Sequence, residues 1–237
     1  MSEAPRVRKP GRPPRDAGGT PVREALLRST IAAVAERGPF DVAARDVCAA
    51  AGVMNAAVNY NFVTWNGLLA EATAVAYREY IAELWAAVDA APRTPEARVE
   101  AYIRAQIAWV RRMPGWGAML NYPIAAKEVS ELYMNNFGDV AVTLFQVNQG
   151  RQIQLVKDLR AGTVHDVDMT DFEGEKERLL ADNDAVQRSI SLGWSIMGMT
   201  VWASRGTTAV TQLAEMTELV EGLIDAHIAT IIETAQR

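Results

Sequence analysis

Apolar residues recur along most of this chain at spacings of three and four, the period at which side chains share one face of an α-helix. The first such stripe, Leu27, Ile31 and Val34, follows Pro21, which suits a first helical turn. The same pattern, with its Gly and Pro interruptions, predicts helices over residues 21–37, 44–51, 55–61 and 65–90. A fifth helix is predicted from the N-cap Thr94 to a break at Pro114-Gly115, and further helices are predicted over 116–160, 183–204 and 208–234. Because Ala, Leu, Glu, Arg and Met recur with few β-branched runs, we expect an all-α protein.

Composition and charge divide the chain into three parts. Residues 1–20 are basic and rich in proline and glycine, and we expect a disordered arm there, followed by a three-helix head over 21–68 and a larger helical body over 69–237. The net charge is −5, but residues 1–70 hold nine Lys and Arg against six Asp and Glu (+3), which leaves 15 against 23 (−8) for the rest. A basic head on an acidic body is typical of a protein that meets a polyanion with one end. The stretch 162–174, rich in Asp and Thr, is the predicted internal loop of the body.

The sequence argues against several other classes of protein. Its single cysteine, Cys48, excludes an intramolecular disulfide and suits a reducing cytosol, and we expect it to fill the core. With no signal peptide and no run of about 18 uncharged apolar residues, we expect a cytoplasmic protein without a membrane partner. His165 and His227 lack metal-ligand spacing, and no phosphate-binding loop, dinucleotide fingerprint or nucleophile elbow is present. We therefore predict no enzyme activity, no cofactor and no metal site.

Residues 45–62 contain the motif that is most informative about function. Two short predicted helices are joined by a turn at Gly52-Val53, which is typical of a helix-turn-helix. The apolar residues that can pack the two helices together are Val47, Ala51, Val53 and Val58. The small Ala56 and Ala57 would let the second helix enter a DNA major groove about 12 Å wide. The side chains then predicted to face outward are Asn55, Asn59, Tyr60 and Asn61. An ordinary helical hairpin inside an all-α domain is the other interpretation of this segment.

Residues 21–70 as a whole resemble the DNA-binding head of the tetracycline-repressor (TetR) family of transcription regulators. The residues that match the family in order and spacing are Gly38, Arg45-Asp46-Val47, Ala51-Gly52-Val53, Val58-Asn59-Tyr60-Asn61-Phe62 and Leu68-Leu69. The resemblance implies a homodimer that binds a palindromic operator in double-stranded DNA and represses transcription until a small hydrophobic effector releases it. The positions expected to contact DNA are Arg12, Ala43, Arg45, Met54, Asn55, Ala56, Ala57, Asn59, Tyr60, Asn61, Thr64 and Trp65.

Several positions depart from the family pattern. Ala43 stands where the family often has Ser or Thr, Met54 where it has Ser, and Trp65-Asn66 where Lys-Glu is common. Most of the missing groups would bind phosphates or cap helices, so the head is expected to bind DNA more weakly or to rely on its arm. In the arm, Gly11-Arg12-Pro13 looks like an AT-hook, whose guanidinium enters the narrow minor groove of A·T-rich DNA. A passive solvated tail is the alternative for this segment.

For the body, the resemblance implies an effector pocket and a dimer interface. Large, adaptable side chains in the middle of the chain are the pocket candidates, although each could instead fill the core: Trp109, Met113, Trp116, Tyr122, Tyr133 and Phe137. The last two helices carry apolar stripes that a monomer would expose, which predicts a four-helix bundle with a partner subunit. The interface candidates are Trp194, Met197, Val201, Leu213, Val220 and Ile224. The alternative function is that of a helical small-molecule-binding or scaffold protein whose head has lost specific DNA binding.

Overall fold

The computed structural model describes residues 21–39, 41–116, 127–168, 171–204 and 217–236, and all regular secondary structure within these ranges is helical. The helices are α1 (Pro21–Arg37), α2 (Ala44–Ala50), α3 (Ala56–Phe62), α4 (Trp65–Ala90), α5 (Pro95–Arg112), α6 (Lys127–Ala161), α7 (Phe172–Leu180), α8 (Asn183–Ser204) and α9 (Thr217–Gln236). These bounds confirm the all-α expectation, and the first four helices agree with their predicted ranges to within one residue.

Single side chains explain where two of the helices begin. Thr94 caps α5 as predicted, because its hydroxyl oxygen accepts a hydrogen bond from the Ala97 amide at 3.3 Å. Asp171 caps α7 in the same way, accepting from the Gly174 amide at 3.3 Å. The predicted loop 162–174 therefore ends too late, since α7 begins directly after Asp171.

Helix α4 connects the head to the body. It packs against α1 and α3 on the head side and against α5 and α6 in the body, while α8 packs against α5 and α6 and α9 packs mainly against α6. Buried apolar side chains continue from the head into the body as one cluster. Fully buried members from both ends include Leu26, Val47, Leu68, Val99, Ile103 and Ile153. Because buried apolar area contributes about 25 cal/mol per Å², this shared core holds the two parts together.

Ion pairs align α1 along the first half of α4. Arg23 pairs with Glu71, and its guanidinium lies 4.9 Å from the centroid of the Phe62 ring. Arg28 pairs with Glu79, about one turn further along α1 and about two turns further along α4. Partly exposed pairs of this kind contribute at most about 1 kcal/mol each. Their main effect is that the guanidinium groups of Arg23 and Arg28 are directed toward α4.

The residues that follow α5 dock on α1. Trp116 is only 1% exposed, and its indole N–H donates to the Ile31 carbonyl oxygen at 2.9 Å. A methyl group built on Gly115 would overlap the carbonyl oxygen of Val34 and would lie 2.8 Å from the amide nitrogen of Gly38. Only glycine permits so close an approach between backbones. The end of α5 is therefore a second fixed point between head and body.

Candidate nucleic-acid interface

The turn between α2 and α3 sets the orientation of α3. Gly52 adopts a φ of 67°, and the Val53 amide donates to the Cys48 carbonyl oxygen at 2.9 Å, which closes α2. Any other residue at position 52 would strain this left-handed backbone. Val47 and Val58 are buried in the core beneath the two helices. The turn and the buried valines together leave the opposite side of α3 facing solvent.

The exposed side of α3 bears groups suited to DNA. Asn55, Ala56, Asn59 and Tyr60 are exposed, together with Met54 in the preceding turn. Asn55 makes no side-chain hydrogen bond to cap the helix, so its amide is not consumed in closing α3. An asparagine amide can pair with the edge of adenine in the major groove, and a phenol can bind a phosphate. We call these five residues the α3 face.

Three of the residues expected to contact DNA are half-buried in the head instead of exposed on the α3 face. Asn61 is half-buried, and its side-chain amide donates to the Ala57 carbonyl oxygen at 2.7 Å, in contrast to its predicted outward orientation. Asparagine often forms such local bonds to the backbone, because its short side chain reaches the preceding turn. Ala57 and Trp65 are half-buried and pack against the core. These positions shape the head rather than present groups to solvent.

The connection from α3 to α4 is short and tightly folded. Thr64 caps α4, since its hydroxyl oxygen accepts from the Gly67 amide at 3.0 Å, and the hydroxyl proton remains able to donate to a phosphate. Val63 precedes it with a φ of 66° and an exposed side chain. Val63 is not among the predicted site residues, because a β-branched residue gives no signal for the left-handed region that it rarely occupies.

Arg45 is the most exposed arginine among the described residues of the head. Its contact with Asp46 is long, 3.4 Å, and Asp46 also contacts Arg37 at 3.2 Å. Ala43, at the N-cap of α2, is exposed and forms no side-chain cap. Arg12 lies outside the described residues. Of the described cations in the head, Arg45 is thus the one best able to reach a phosphate.

In the body, three of the predicted pocket residues belong to two groups of neighbouring aromatic rings, one on α4 and α5 and the other on α6. The Trp109 and Tyr80 rings lie 5.0 Å apart, the Tyr80 and Tyr77 rings 6.3 Å apart, and the Tyr133 and Phe137 rings 6.3 Å apart. Burial, with a smaller effect from the nearby Tyr133, raises the pKa of Tyr77 to about 12. We call these five residues the aromatic row. Tyr77 and Tyr80 were missed, although their spacing of three on α4 places them on one helix face.

The other predicted pocket residues lie elsewhere. Met113 ends α5 and is partly buried against the core. Trp116 is directed toward α1, where its indole N–H is already bonded to Ile31, so it does not join the aromatic row. Tyr122 lies outside the described residues.

Large apolar side chains are exposed on both helices of the predicted dimer interface. Trp194 is 69% exposed, and Ile190, one turn earlier on α8, is also exposed. Met197 is half-buried. Ile224 is only 7% exposed and lies in the chain's own core, whereas its neighbour Leu223 is exposed. The remaining interface candidates, whose side chains lie outside the described residues, are Val201, Leu213 and Val220.

The described residues include neither a cluster of metal ligands nor a helix suited to a bilayer. Among them, no three His, Cys, Asp or Glu side chains are placed to hold a metal ion together. No helix in the described ranges has both the length and the apolar character to cross a membrane. Cys48 is buried in the core of the head, where desolvation raises the pKa of its thiol.

The chain is similar in structure to two solved proteins. A candidate transcriptional regulator from Pseudomonas aeruginosa PAO1 superposes with a TM-score of 0.50 at 20% sequence identity, covering 88% of this chain and 93% of that one. A TetR-family transcriptional regulator from Streptomyces coelicolor superposes with a TM-score of 0.44 at 13% identity, covering 90% of each chain. No family profile matches the chain, and no protein of curated function matches its sequence. The chain therefore shares the all-helical fold of the Pseudomonas aeruginosa protein over most of its length.

Proposed function

We propose that this chain is a cytoplasmic, dimeric, DNA-binding transcriptional repressor of the TetR type that a small hydrophobic effector releases from its operator. The main support is the α3 face, on which Asn55, Asn59 and Tyr60 are exposed while the Gly52 turn fixes the helix against the core. The shared fold with a candidate transcriptional regulator adds support from the whole chain. No step of this function requires catalysis, a metal or a cofactor.

In this proposal α3 lies in the major groove. Asn55 and Asn59 read base edges, while Arg45 and the Thr64 hydroxyl bind phosphates on either side. Arg12 of the arm adds a contact in the adjacent minor groove. Each base contact is worth about 1–3 kcal/mol of discrimination, and phosphate contacts supply the salt-dependent part of the affinity.

The dimer forms through α8 and α9. Trp194, Ile190 and Leu223 are large apolar side chains exposed on these two helices, and pairing with a second copy would cover them. A two-fold axis between the subunits would present the two α3 helices to half-sites about one turn of DNA apart, about 34 Å or a related spacing. The operator is then palindromic.

The effector binds beside the aromatic row, where rings from α4 and α5 meet. An apolar, aromatic molecule fits such a lining through stacking and edge contacts. Because Trp109 lies on α5 and the residues after α5 dock on α1, a shift of α5 would also move the head. The effector must bind the released form more tightly to lower DNA affinity, typically by about 1–3 kcal/mol.

Fluorescence anisotropy on an operator duplex tests the DNA part of the proposal. Asn55→Ala combined with Asn59→Ala is expected to weaken specific binding by about 2 kcal/mol or more, because the double variant can no longer bond to two of the bases. Asn135→Ala is the matched control, since Asn135 is an exposed asparagine on α6, far along the chain from α3. Equal affinity of the double variant and the control would remove the α3 face from the interface and favour the scaffold alternative.

A salt titration with Arg45→Gln tests the phosphate contact separately. The slope of log affinity against log salt concentration should flatten by about 0.9 for each phosphate that the variant no longer neutralises. An unchanged slope would show that Arg45, although exposed, does not meet the DNA backbone.

A further inference from the structure

A cavity of about 370 Å³ lies at the far end of α4 from the DNA-binding head. It is bordered by the end of α4, the start of α5, the second half of α6 and the loop that follows α6. Trp85, in its wall, comes 20 residues after Trp65 on α4, which corresponds to roughly 30 Å of helix. We call this pocket the distal cavity. It is separate from both the α3 face and the aromatic row.

A buried arginine dominates the chemistry of the distal cavity. Arg98 is only 6% exposed, and its guanidinium contacts Asp166 Oδ1 at 3.3 Å and Asp89 Oδ1 at 3.4 Å. Charge-assisted hydrogen bonds of this type are normally about 2.7–2.9 Å long. Both carboxylates are more than half exposed, at 60% for Asp166 and 54% for Asp89. The guanidinium of Arg98 is therefore desolvated but only loosely paired.

Two further arginines extend this set of ion pairs. Arg93 pairs with Asp166 at 3.0 Å, and this bond holds the pKa of the Asp166 carboxyl below its ordinary value. Arg151 pairs with Asp89, and its guanidinium lies 4.0 Å from the centroid of the Trp85 ring. Three guanidinium groups, those of Arg93, Arg98 and Arg151, thus share two carboxylates. One positive charge is left over within the set.

The third carboxylate in the lining is already satisfied. Asp158 is fully buried and accepts hydrogen bonds from the Gln154 side-chain amide at 2.7 Å and from the His165 backbone amide at 3.2 Å. The His165 ring nitrogen Nδ1 lies 3.1 Å from the same carboxylate. Asp158 therefore fastens the loop to α6, and its charge balances the third arginine over the lining as a whole, but the contacts of its oxygens are with Gln154 and His165 rather than with a guanidinium. Leu155 and Val167 supply an apolar part of the wall beside these groups.

We propose that the distal cavity binds a small organic carboxylate, which takes the place of Asp166 on Arg93 and Arg98 and lays its apolar part against Leu155 and Val167. A guanidinium fork matches a carboxylate in a planar, bidentate geometry, which the present contacts of Arg98 do not reach. The cavity volume is in the range of small-molecule sites. The proposal does not rest on DNA binding, because the carboxylate can be titrated into the chain in the absence of DNA.

Isothermal titration calorimetry of the full-length chain with benzoate, and with the uncharged benzamide, tests the charge requirement. Benzoate is expected to bind with a Kd of about 1 mM or tighter, and benzamide at least about tenfold more weakly. Arg98→Gln and the more exposed Arg93→Gln should each weaken benzoate binding about tenfold. Arg93→Gln keeps the test decisive if loss of the buried Arg98 prevents folding. Arg104→Gln is the matched control, since Arg104 also pairs with two carboxylates but lies outside the cavity lining.

A variant with an effect of the opposite sign separates the proposal from general attraction of anions. Asp166→Asn removes the competing carboxylate, so benzoate should bind severalfold more tightly. Asp225→Asn makes the same change of charge beside Arg104 and should leave benzoate binding unchanged. The proposal is overturned if benzamide binds as tightly as benzoate, or if the two Asp→Asn variants have equal effects. It is also overturned if the benzoate Kd exceeds about 10 mM for both the natural chain and Asp166→Asn.

Discussion

Replacing Gly115 by alanine tests how firmly the end of α5 is fixed to the DNA-binding head. The added methyl group would overlap the carbonyl oxygen of Val34 and lie 2.8 Å from the Gly38 amide nitrogen. Both are backbone atoms at the end of α1, so no side-chain rotation can relieve the overlap. Either α1 or the residues around position 115 must move.

The expected loss of stability can be worked out from three contributions. Overpacking of this kind costs about 1–3 kcal/mol. Displacement of α1 would also break the hydrogen bond between Trp116 and Ile31, which is worth about 1 kcal/mol. Alanine regains up to about 1 kcal/mol over glycine through its helix propensity. We therefore expect Gly115→Ala to lower the free energy of unfolding by roughly 1–3 kcal/mol, a large share of the about 5–15 kcal/mol typical of a folded protein.

Urea unfolding followed by circular dichroism provides the measurement, with Gly138→Ala as the control. Gly138 lies within α6, where the nearest atom to an added methyl group would be Met134 Cε at the ordinary contact distance of 3.6 Å. The same chemical change should therefore stabilise the chain there, by up to about 1 kcal/mol. If both variants unfold at the same urea concentration as each other, α1 does not pack against residue 115 and the proposed link between α5 and the head fails.

Three further predictions concern other parts of the fold. Val63→Gly should raise the free energy of unfolding by about 1 kcal/mol in urea titrations, because glycine relieves the φ of 66° at this position; no gain would mean that the turn is unstrained. Trp194→Glu should convert the dimer to a monomer, as measured by light scattering, whereas Phe145→Glu, which adds a charge at an exposed residue of α6, should leave the dimer intact. If Trp194→Glu also remains dimeric, the interface lies elsewhere. Asp182→Ala should cost about 1 kcal/mol at neutral pH, because the hydrogen bond from the Ala185 amide is removed at the start of α8. That bond holds the pKa of Asp182 below its ordinary value of 3.8. The stabilisation from the bond is therefore fully present above pH 3.8 and is lost as the pH falls through the lowered pKa. A difference in stability between the natural chain and Asp182→Ala that persists in strong acid would contradict this cause.

The helices and the turn of the head follow closely from local sequence signals. Thr94 followed by Pro95 marks the start of α5, and Gly52 marks the turn before α3, because each residue fits a backbone requirement within a few residues of itself. The predicted stripe of Leu27, Ile31 and Val34 locates most of the buried side of α1, where Ile31 and Val34 are buried, although Leu26 rather than Leu27 is the fully buried leucine. These features need no knowledge of the remainder of the chain.

The arrangement of the functional surfaces depends on contacts that local signals do not encode. Trp116 bonds to a carbonyl 85 residues earlier, and Arg98 meets a carboxylate 68 residues later, so neither partner is visible in the pattern around it. Ile224 and Leu223 are adjacent and equally apolar, and only the packing of α9 decides which one is buried. Asn61 has the composition of a DNA contact, yet its amide bonds back to its own helix.

The central claim, that the α3 face of a dimer binds DNA, is tested most directly by selecting bound sequences from a random duplex pool with the full-length chain. Binding in this mode predicts enrichment of a palindrome whose half-sites lie about one helical turn apart, about 34 Å or a related spacing. It also predicts that Asn55→Ala relaxes the selected bases at matching positions of both half-sites, while Asn135→Ala enriches the original palindrome. Recovery of no common sequence, or of the same palindrome with Asn55→Ala together with Asn59→Ala, would contradict it.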